Sequence, residues 1–135
     1  MNDRAVVAIV AIGVLGLVGA ATMVGVGGAA EAQDCAFPVS QVDATGTEVT
    51  IKEEPEEVVT LGPSAAQTMW EIGATDKVVG VSKYAGYLEG ASEKRNVSGG
   101  EEAVVVEKVV DLDPDLVLAP NIIQNDTVDQ LRSGG

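Results

Sequence analysis

Three short apolar runs set the rhythm of this chain: Val58-Val59-Thr60-Leu61, Val78-Val79-Gly80-Val81 and Leu116-Val117-Leu118. Each is too short for a helix and rich in β-branched residues, the pattern of a strand buried on both faces. Turn formers bound them: Gly62-Pro63 ends the first, Asp113-Pro114 precedes the third, and Pro120 stops it. Between the strands the period lengthens. Ser64 is expected to cap a helix running to about Ile72, with Ala65, Met69 and Ile72 on one face and Gly73 closing it. Val105, Val109 and Leu112 mark a second helical face, and Asn125 or Asp126 starts a third helix through Leu131. Ahead of this series, residues 39–51 alternate polar and apolar around Asp43-Ala44-Thr45-Gly46, which predicts a hairpin with Gly46 in its turn. Residues 52–58, KEEPEEV, form an acidic connector.

Strands of this kind alternating with amphipathic helices predict an α/β fold, a parallel sheet flanked by helices. Ligands of such sheets sit in the crevice at the carboxyl ends of the strands. Those ends are Gly62 to Ala65, the stretch Ser82 to Tyr84 that opens the loop running to Gly90, and Ala119 to Ile122. Pro120 on its own says only that a strand ends there. The sequence closes on the end of a helix, where a βα unit expects a further strand, so the chain is read as truncated in mid-fold.

The remaining hydrophobic signal is of another kind. Residues 5–30 carry no charge, long enough to cross a bilayer as an N-terminal hydrophobic helix. Arg4 precedes the run, and Ala30-Glu31-Ala32 follows it with the small-x-small pattern of a signal-peptidase site. Residues 1–32 are therefore expected to be a signal peptide or an N-terminal membrane anchor, the cleaved signal being preferred. Residues 33–55 form the leader with the hairpin, and 56–135 the α/β lobe. Both readings of the first segment export the rest.

Charge narrows the partners. Asp3, Arg4 and Glu31 precede residue 33, so the remainder carries 19 acids against 7 bases. A surface that acidic repels nucleic acid and anionic lipid. It also suits a protein kept hydrated in strong salt, which points to a halophilic source, the rival reading being an acidic binding face. Cys35 is the only cysteine, and Asp34 before it argues against a lipid anchor.

The chemistry on offer is sparse. There is no histidine, which removes the commonest general base and the histidine-rich metal sites. No Walker or GxGxxG loop occurs, and Glu53-Glu54 and Glu56-Glu57 read as a solvated acidic face. The expectation is a protein that is not an enzyme and carries no cofactor or bound metal. Two of the four aromatics, Tyr84 and Tyr87, fall in one loop after the second strand, where flat amphipathic rings suit a pocket for a bulky ligand. Trp70, beside Met69, reads as core. Asn96-Val97-Ser98 and Asn125-Asp126-Thr127 are N-glycosylation sequons, compatible with export.

Together, VVTLGPSAAQTMWEIGATDKVVGVSKYAGY and VEKVVDLDPDLVLAP resemble the amino-terminal lobe of ABC-importer solute-binding proteins for iron–siderophores and cobalamin. The hairpin DATGTEVTI is similar to that family's leader strands, and the acidity resembles its haloarchaeal branch. The likeness spans roughly residues 39–133. It implies a two-lobe fold joined by a long helix, with the ligand between the lobes and only the first lobe present here. By resemblance, Pro63, Ser64, Tyr84, Ser98, Gly99, Pro120 and Asn121 would contact the ligand. The cobalamin binders place a tryptophan in the third of these segments, where this chain has Gly99-Gly100. Zinc and manganese binders of the related class use histidines, so the implied cargo is a metal chelate: a ferric siderophore, cobalamin or haem. The implied partners are that chelate and the ABC permease subunits, the latter met by an exposed glutamate corresponding to Glu107, with the binding protein a monomer. The alternative is a remnant that binds nothing, or one lobe of a split binder.

Overall fold

The computed structural model describes residues 36–134. The leader is a two-stranded antiparallel hairpin, β1 (Val39–Val42) and β2 (Glu48–Ile51), with Val39 opposite Ile51 and Val42 opposite Glu48. Its turn holds Gly46 at φ +81 and is organised by Asp43, whose Oδ1 accepts hydrogen bonds from the Thr45 and Thr47 amides and the Thr45 hydroxyl. Such Asx geometry is what places aspartate at turns.

The lobe that follows contains β3 (Val58–Thr60), α1 (Pro63–Glu71), β4 (Val78–Val81), β5 (Arg95–Asn96), α2 (Val106–Val110), β6 (Leu116–Leu118) and α3 (Asn125–Gly134). Its four strands are all parallel, in the order β5-β4-β3-β6. From β3 the chain moves outward through β4 to β5. It then returns across the sheet and lays β6 on the other side of β3. The direction of winding therefore reverses between β3 and β6, a topological switch point.

Alternation along the strands, interrupted in β4 by a register shift that returns Val81 to the face of Val78, divides the core into two layers. Val58, Val78 and Val81 point to one face, where Ala66 and Met69 of α1 cover them. Val59, Leu61 and Val97 point to the other, beneath Val109 of α2 with Leu112 and Leu131. Burying one such side chain contributes about 1.5–3 kcal/mol. The β3–β4 register shifts between Val58 and Val59, so Val59 stands opposite Gly80. A Cβ at Gly80 would meet Leu112 Cδ1 at 2.8 Å and Val59 Cγ2 at 3.1 Å. That strand position has no side chain because Leu112 occupies the space.

Local details depart from the sequence reading in five places. Ser64 does not cap α1: Gly62 takes the extended N-cap conformation, Pro63 is the first helical residue, and no side chain bonds the exposed amides. Proline fits there because its missing N–H would have no partner in the first turn. The buried stripe of α1 is Ala66 and Met69, whereas Ala65 is half-buried and Ile72 lies 68% exposed beyond the helix end. The second helix begins at Val106, with Val105 as its N-cap. Strand β5 lies in a region where no strand was expected, because Arg95-Asn96 has no apolar run to announce it. The third helix runs to Gly134, past Leu131. Asp113, at φ +47, turns the chain out of the α2 end and into β6, a backbone region that aspartate tolerates better than most residues.

The amino-terminal edge of the sheet is fastened by charge. The Asp115 carboxylate accepts both the Glu56 and Glu57 amides at 2.9 and 3.0 Å. Lys77 Nζ reaches Glu54 at 2.5 Å and Glu56 at 3.2 Å. Half of the acidic connector is thus engaged with one lysine. Among the described residues no helix is long and apolar enough to cross a membrane. The apolar run at 5–30, its cleavage site and Cys35 lie outside those residues.

Candidate functional site

Because the sheet is parallel, four loops leave the same edge. In order across the sheet they are Val97 to Gly100, Ser82 to Tyr84, Leu61 to Ser64, and Ala119 to Asn121. All seven residues expected to touch ligand fall on this edge. The two loops nearest the switch point are in contact. Leu61 donates its amide to the Leu118 carbonyl at 3.0 Å, and a Cβ on Gly62 would stand 2.9 Å from Pro120 Cγ. Pro63 and Pro120, both half-buried, flank this seam, with Ser64 and Asn121 exposed beside them. At the seam the following helices diverge, α1 to one face of the sheet and α3 to the other. Pro120 thus ends β6 where its ring closes on the opposite loop.

The tyrosine loop continues the edge. Tyr84 is 54% and Tyr87 62% exposed, unusual for rings in so aromatic-poor a chain. Lys83 Nζ lies 5.2 Å from the Tyr84 ring centroid and donates to the Gly100 carbonyl at 2.8 Å, linking the β4 and β5 loops. Tyr87 leans over α1, its hydroxyl bonded to Gln67 Oε1 at 3.1 Å. Trp70 donates its indole N–H to the Glu89 carbonyl at 2.8 Å, so this half-buried ring fixes the far end of the same loop. Tyr87 belongs to the edge as much as Tyr84. Its signal was the KYAGY spacing that brought both rings into one loop.

Ser98 and Gly99 contribute differently from the rest. Ser98 is buried, and its hydroxyl is spent within the protein, accepting the Lys83 amide at 2.9 Å and donating to the Ala103 carbonyl at 2.6 Å. Lys108 Nζ reaches the Ser98 carbonyl at 2.6 Å, and Gly99 donates its amide to Glu102 at 3.0 Å. A Cβ at Gly99 would meet Val105 Cγ2 at 3.0 Å. This loop is a fixed buttress whose open surface is Gly100. Next along the edge, the Ser82 hydroxyl is buried with no hydrogen-bond partner among the described residues.

Among the described residues, two hollows stand out, both away from the seam. One of about 580 Å³ runs between the 101–107 segment and α3, lined by Glu101, Glu102, Glu107, Ile122, Gln124 and Thr127. Glu107 is exposed there, pointing outward as its helical position requires. The other, about 750 Å³, lies beneath the hairpin at the amino-terminal edge, against Val49, Pro55 and Asp115. Neither is lined by Pro63, Tyr84 or Pro120, and of the seven candidates Ser64, Tyr84 and Asn121 are exposed, Pro63, Gly99 and Pro120 half-buried and Ser98 buried. Among the described residues no three acidic or cysteine side chains gather as a metal cluster would.

Two carboxyls and one lysine have shifted protonation equilibria, at the hairpin turn and at the amino-terminal side of the sheet. The Glu56 and Glu57 amides hold the Asp115 carboxyl below its usual value, and the Thr45 hydroxyl does the same for Asp43. The Glu54 carboxylate raises Lys77. The carboxyl edge offers rings, proline faces, hydroxyls and amides, which suits binding of a bulky ligand.

Known proteins resemble this arrangement over most of its length. The sequence pattern of a family described as periplasmic binding protein matches residues 58–135. A cobalamin-binding protein of Halobacterium salinarum is 59% identical over 102 residues, covering 75% of this chain and 28% of its own. An uncharacterized ABC transporter substrate-binding lipoprotein of Bacillus subtilis is 40% identical, covering 73% of this chain and 32% of its own. The crystal structure of the periplasmic vitamin B12 binding protein of Vibrio cholerae superposes with a TM-score of 0.53 at 32% identity, covering 60% of this chain and 32% of that one. The chain spans about a third or less of the length of these relatives.

Proposed function

Because the chain belongs to the periplasmic binding protein family, we propose that its carboxyl edge is one wall of a chelate-binding cleft in an extracytoplasmic ABC importer. The observation that carries this reading is the meeting of the Pro63 and Pro120 loops at the switch point between β3 and β6, the position where open α/β sheets take ligands, with the Tyr84 loop next along the same edge. Tyr84 and Tyr87 supply flat faces for a macrocycle, and Ser64 and Asn121 supply polar groups at the seam. Ser98 and Gly99 support the wall from behind.

Among metal chelates, a corrinoid is the favoured cargo, since a cobalamin-binding protein and a vitamin B12 binding protein are among the similar chains. Ferric siderophores and haem are the competing cargoes. The exposed Glu107 is the candidate contact with the permease subunits, and the binding protein acts as a monomer. Residues 1–32 serve as signal peptide or anchor, and the acidic surface is adapted to high salt.

Trp70 provides the assay, because its indole is bonded to the tyrosine loop. Titrating the chain in molar salt with cyanocobalamin, ferric siderophores and haem should change Trp70 fluorescence saturably with the corrinoid. Tyr84→Ala should weaken that binding while Ile72→Ala, at a still more exposed position outside the wall, leaves it intact. Saturable binding that ignores Tyr84→Ala would remove the ring from the site. Absence of any response would favour a remnant, or a lobe that binds only with its second half.

A further inference from the structure

Two N-x-[ST] sequons stand in this chain, and the fold treats them in opposite ways. Asn96-Val97-Ser98 is locked. Asn96 lies in β5, paired with Val81 of β4, and Val97 donates its amide to the Val81 carbonyl at 2.9 Å. The Asn96 carboxamide accepts the Ser98 amide at 2.9 Å. Val97 is 0% exposed and Ser98 2%, with the serine hydroxyl bonded on both sides. Glycan transfer needs the asparagine amide and the hydroxyl two residues on to be presented together, and here the hydroxyl is sealed inside the lobe.

Asn125-Asp126-Thr127 is open. Asn125 begins α3 and is exposed, Asp126 is exposed, and Thr127 is half-buried. No side-chain hydrogen bond holds Asn125 or Thr127 among the described residues, and besides the bonds within α3 the Thr127 and Val128 amides reach the Gln124 carbonyl at 3.0 and 3.2 Å. A first helical turn of this kind opens at low cost, since few bonds hold it and local opening concentrates at such ends.

We infer that Asn125, and not Asn96, is an acceptor for N-linked glycan, a role that rests on the proposed export of the chain. The donor class is an oligosaccharide carried on a polyprenyl phosphate or pyrophosphate. Asn125 Nδ2 forms the bond to the sugar C1, the bond from C1 to the lipid phosphate oxygen breaks, the lipid phosphate leaves with that electron pair, and the amide releases one proton. The glycan would stand at the rim of the 580 Å³ hollow, where Gln124 and Thr127 form part of the lining. The Tyr84 and Pro63 loops lie outside that lining.

The test uses purified, folded chain, membranes containing an oligosaccharyltransferase, and its lipid-linked donor, so the outcome does not depend on export. A short peptide bearing Asn-Asp-Thr in the same tube confirms that the transferase accepts the sequon. Trypsin cuts after Arg95, Lys108 and Arg132, which places Asn96 on residues 96–108 and Asn125 on residues 109–132. The expected result is sugar on the 109–132 peptide alone, abolished by Asn125→Gln and by Thr127→Val and unchanged by Asn96→Gln. Heat-unfolded chain should accept sugar on both peptides. Sugar on 96–108 of the folded chain, or a bare 109–132 peptide beside a modified control peptide, would overturn the inference. Export is read separately by cell fractionation, and its failure would count against the functional reading without altering this result.

Discussion

Pro120 lies against Gly62 so closely that a Cβ on Gly62 would come within 2.9 Å of the proline Cγ. This contact joins the loops after β3 and β6, neighbouring strands that lie more than fifty residues apart in sequence. It depends on a residue without a side chain facing a rigid ring. Gly62→Ala must push one loop away from the other, since the pyrrolidine has no rotamer to swing aside. The expected cost is about 1–3 kcal/mol of stability, the range for forced overpacking, together with weaker ligand binding. Chemical denaturation read beside a ligand titration checks both. Unchanged affinity in a folded Gly62→Ala chain would separate the seam from the site.

Acid should loosen the opposite edge first. Asp115 is held below the usual 3.8 by the Glu56 and Glu57 amides, and Asp43 is held below it by the Thr45 hydroxyl. A carboxyl with a lowered folded value favours the folded state above pH 3.8 and loses that contribution as pH falls through the folded value. Stability should therefore decline below about pH 4. Asp115→Asn should lower stability at neutral pH and flatten that acid limb, as followed by circular dichroism across a pH series. A limb of unaltered slope would place the acid sensitivity elsewhere.

Salt is the third variable. With 19 acids against 7 bases beyond residue 32, the folded surface repels itself. At ~0.15 M salt screening reaches only about 8 Å, so carboxylates sharing a face still interact. Melting temperature should rise with potassium chloride into the molar range. A melting temperature indifferent to salt would contradict the halophilic reading.

Glu107 is the proposed permease contact. It is exposed on α2 and shares a hollow with Glu101 and Glu102. A solvated carboxylate meeting an arginine contributes up to about 1 kcal/mol and chiefly orients the encounter. Glu107→Ala should leave folding and ligand affinity alone and slow uptake through the complete importer by roughly fivefold. Normal uptake with Glu107→Ala and impaired uptake with Glu102→Ala would shift the contact to the neighbouring acid.

The apolar runs at 58–61, 78–81 and 116–118 were legible as parallel strands because each is too short for a helix and lacks the polar alternation of a strand with one wet face. The crevice loops followed from where those strands stop. Strand β5 was not legible: Arg95 and Asn96 are both exposed, and their pairing is set by β4 and by the burial of Val97, not by their own side chains. Nor was the stripe on α1. The helix starts two residues earlier than a serine cap implies, and the buried face is Ala66 and Met69 in place of Ala65 and Ile72. At the site, residue types and loop positions were visible in advance. What the sequence could not show was how each side chain is spent. Ser98 turns its hydroxyl inward to bond Lys83 and Ala103, whereas Tyr87, one turn of loop beyond Tyr84, joins the exposed wall.

The most direct test of the proposed wall is amide chemical-shift mapping of the isotopically labelled chain, in molar salt, during titration with cyanocobalamin. The account predicts that Ser64, Tyr84, Tyr87 and Asn121 shift with saturation, while Lys77, Asp115 and the hairpin turn at Asp43 stay still. Shifts centred on Asp115 and the hollow beneath the hairpin, with Tyr84 and Asn121 unmoved, would contradict it.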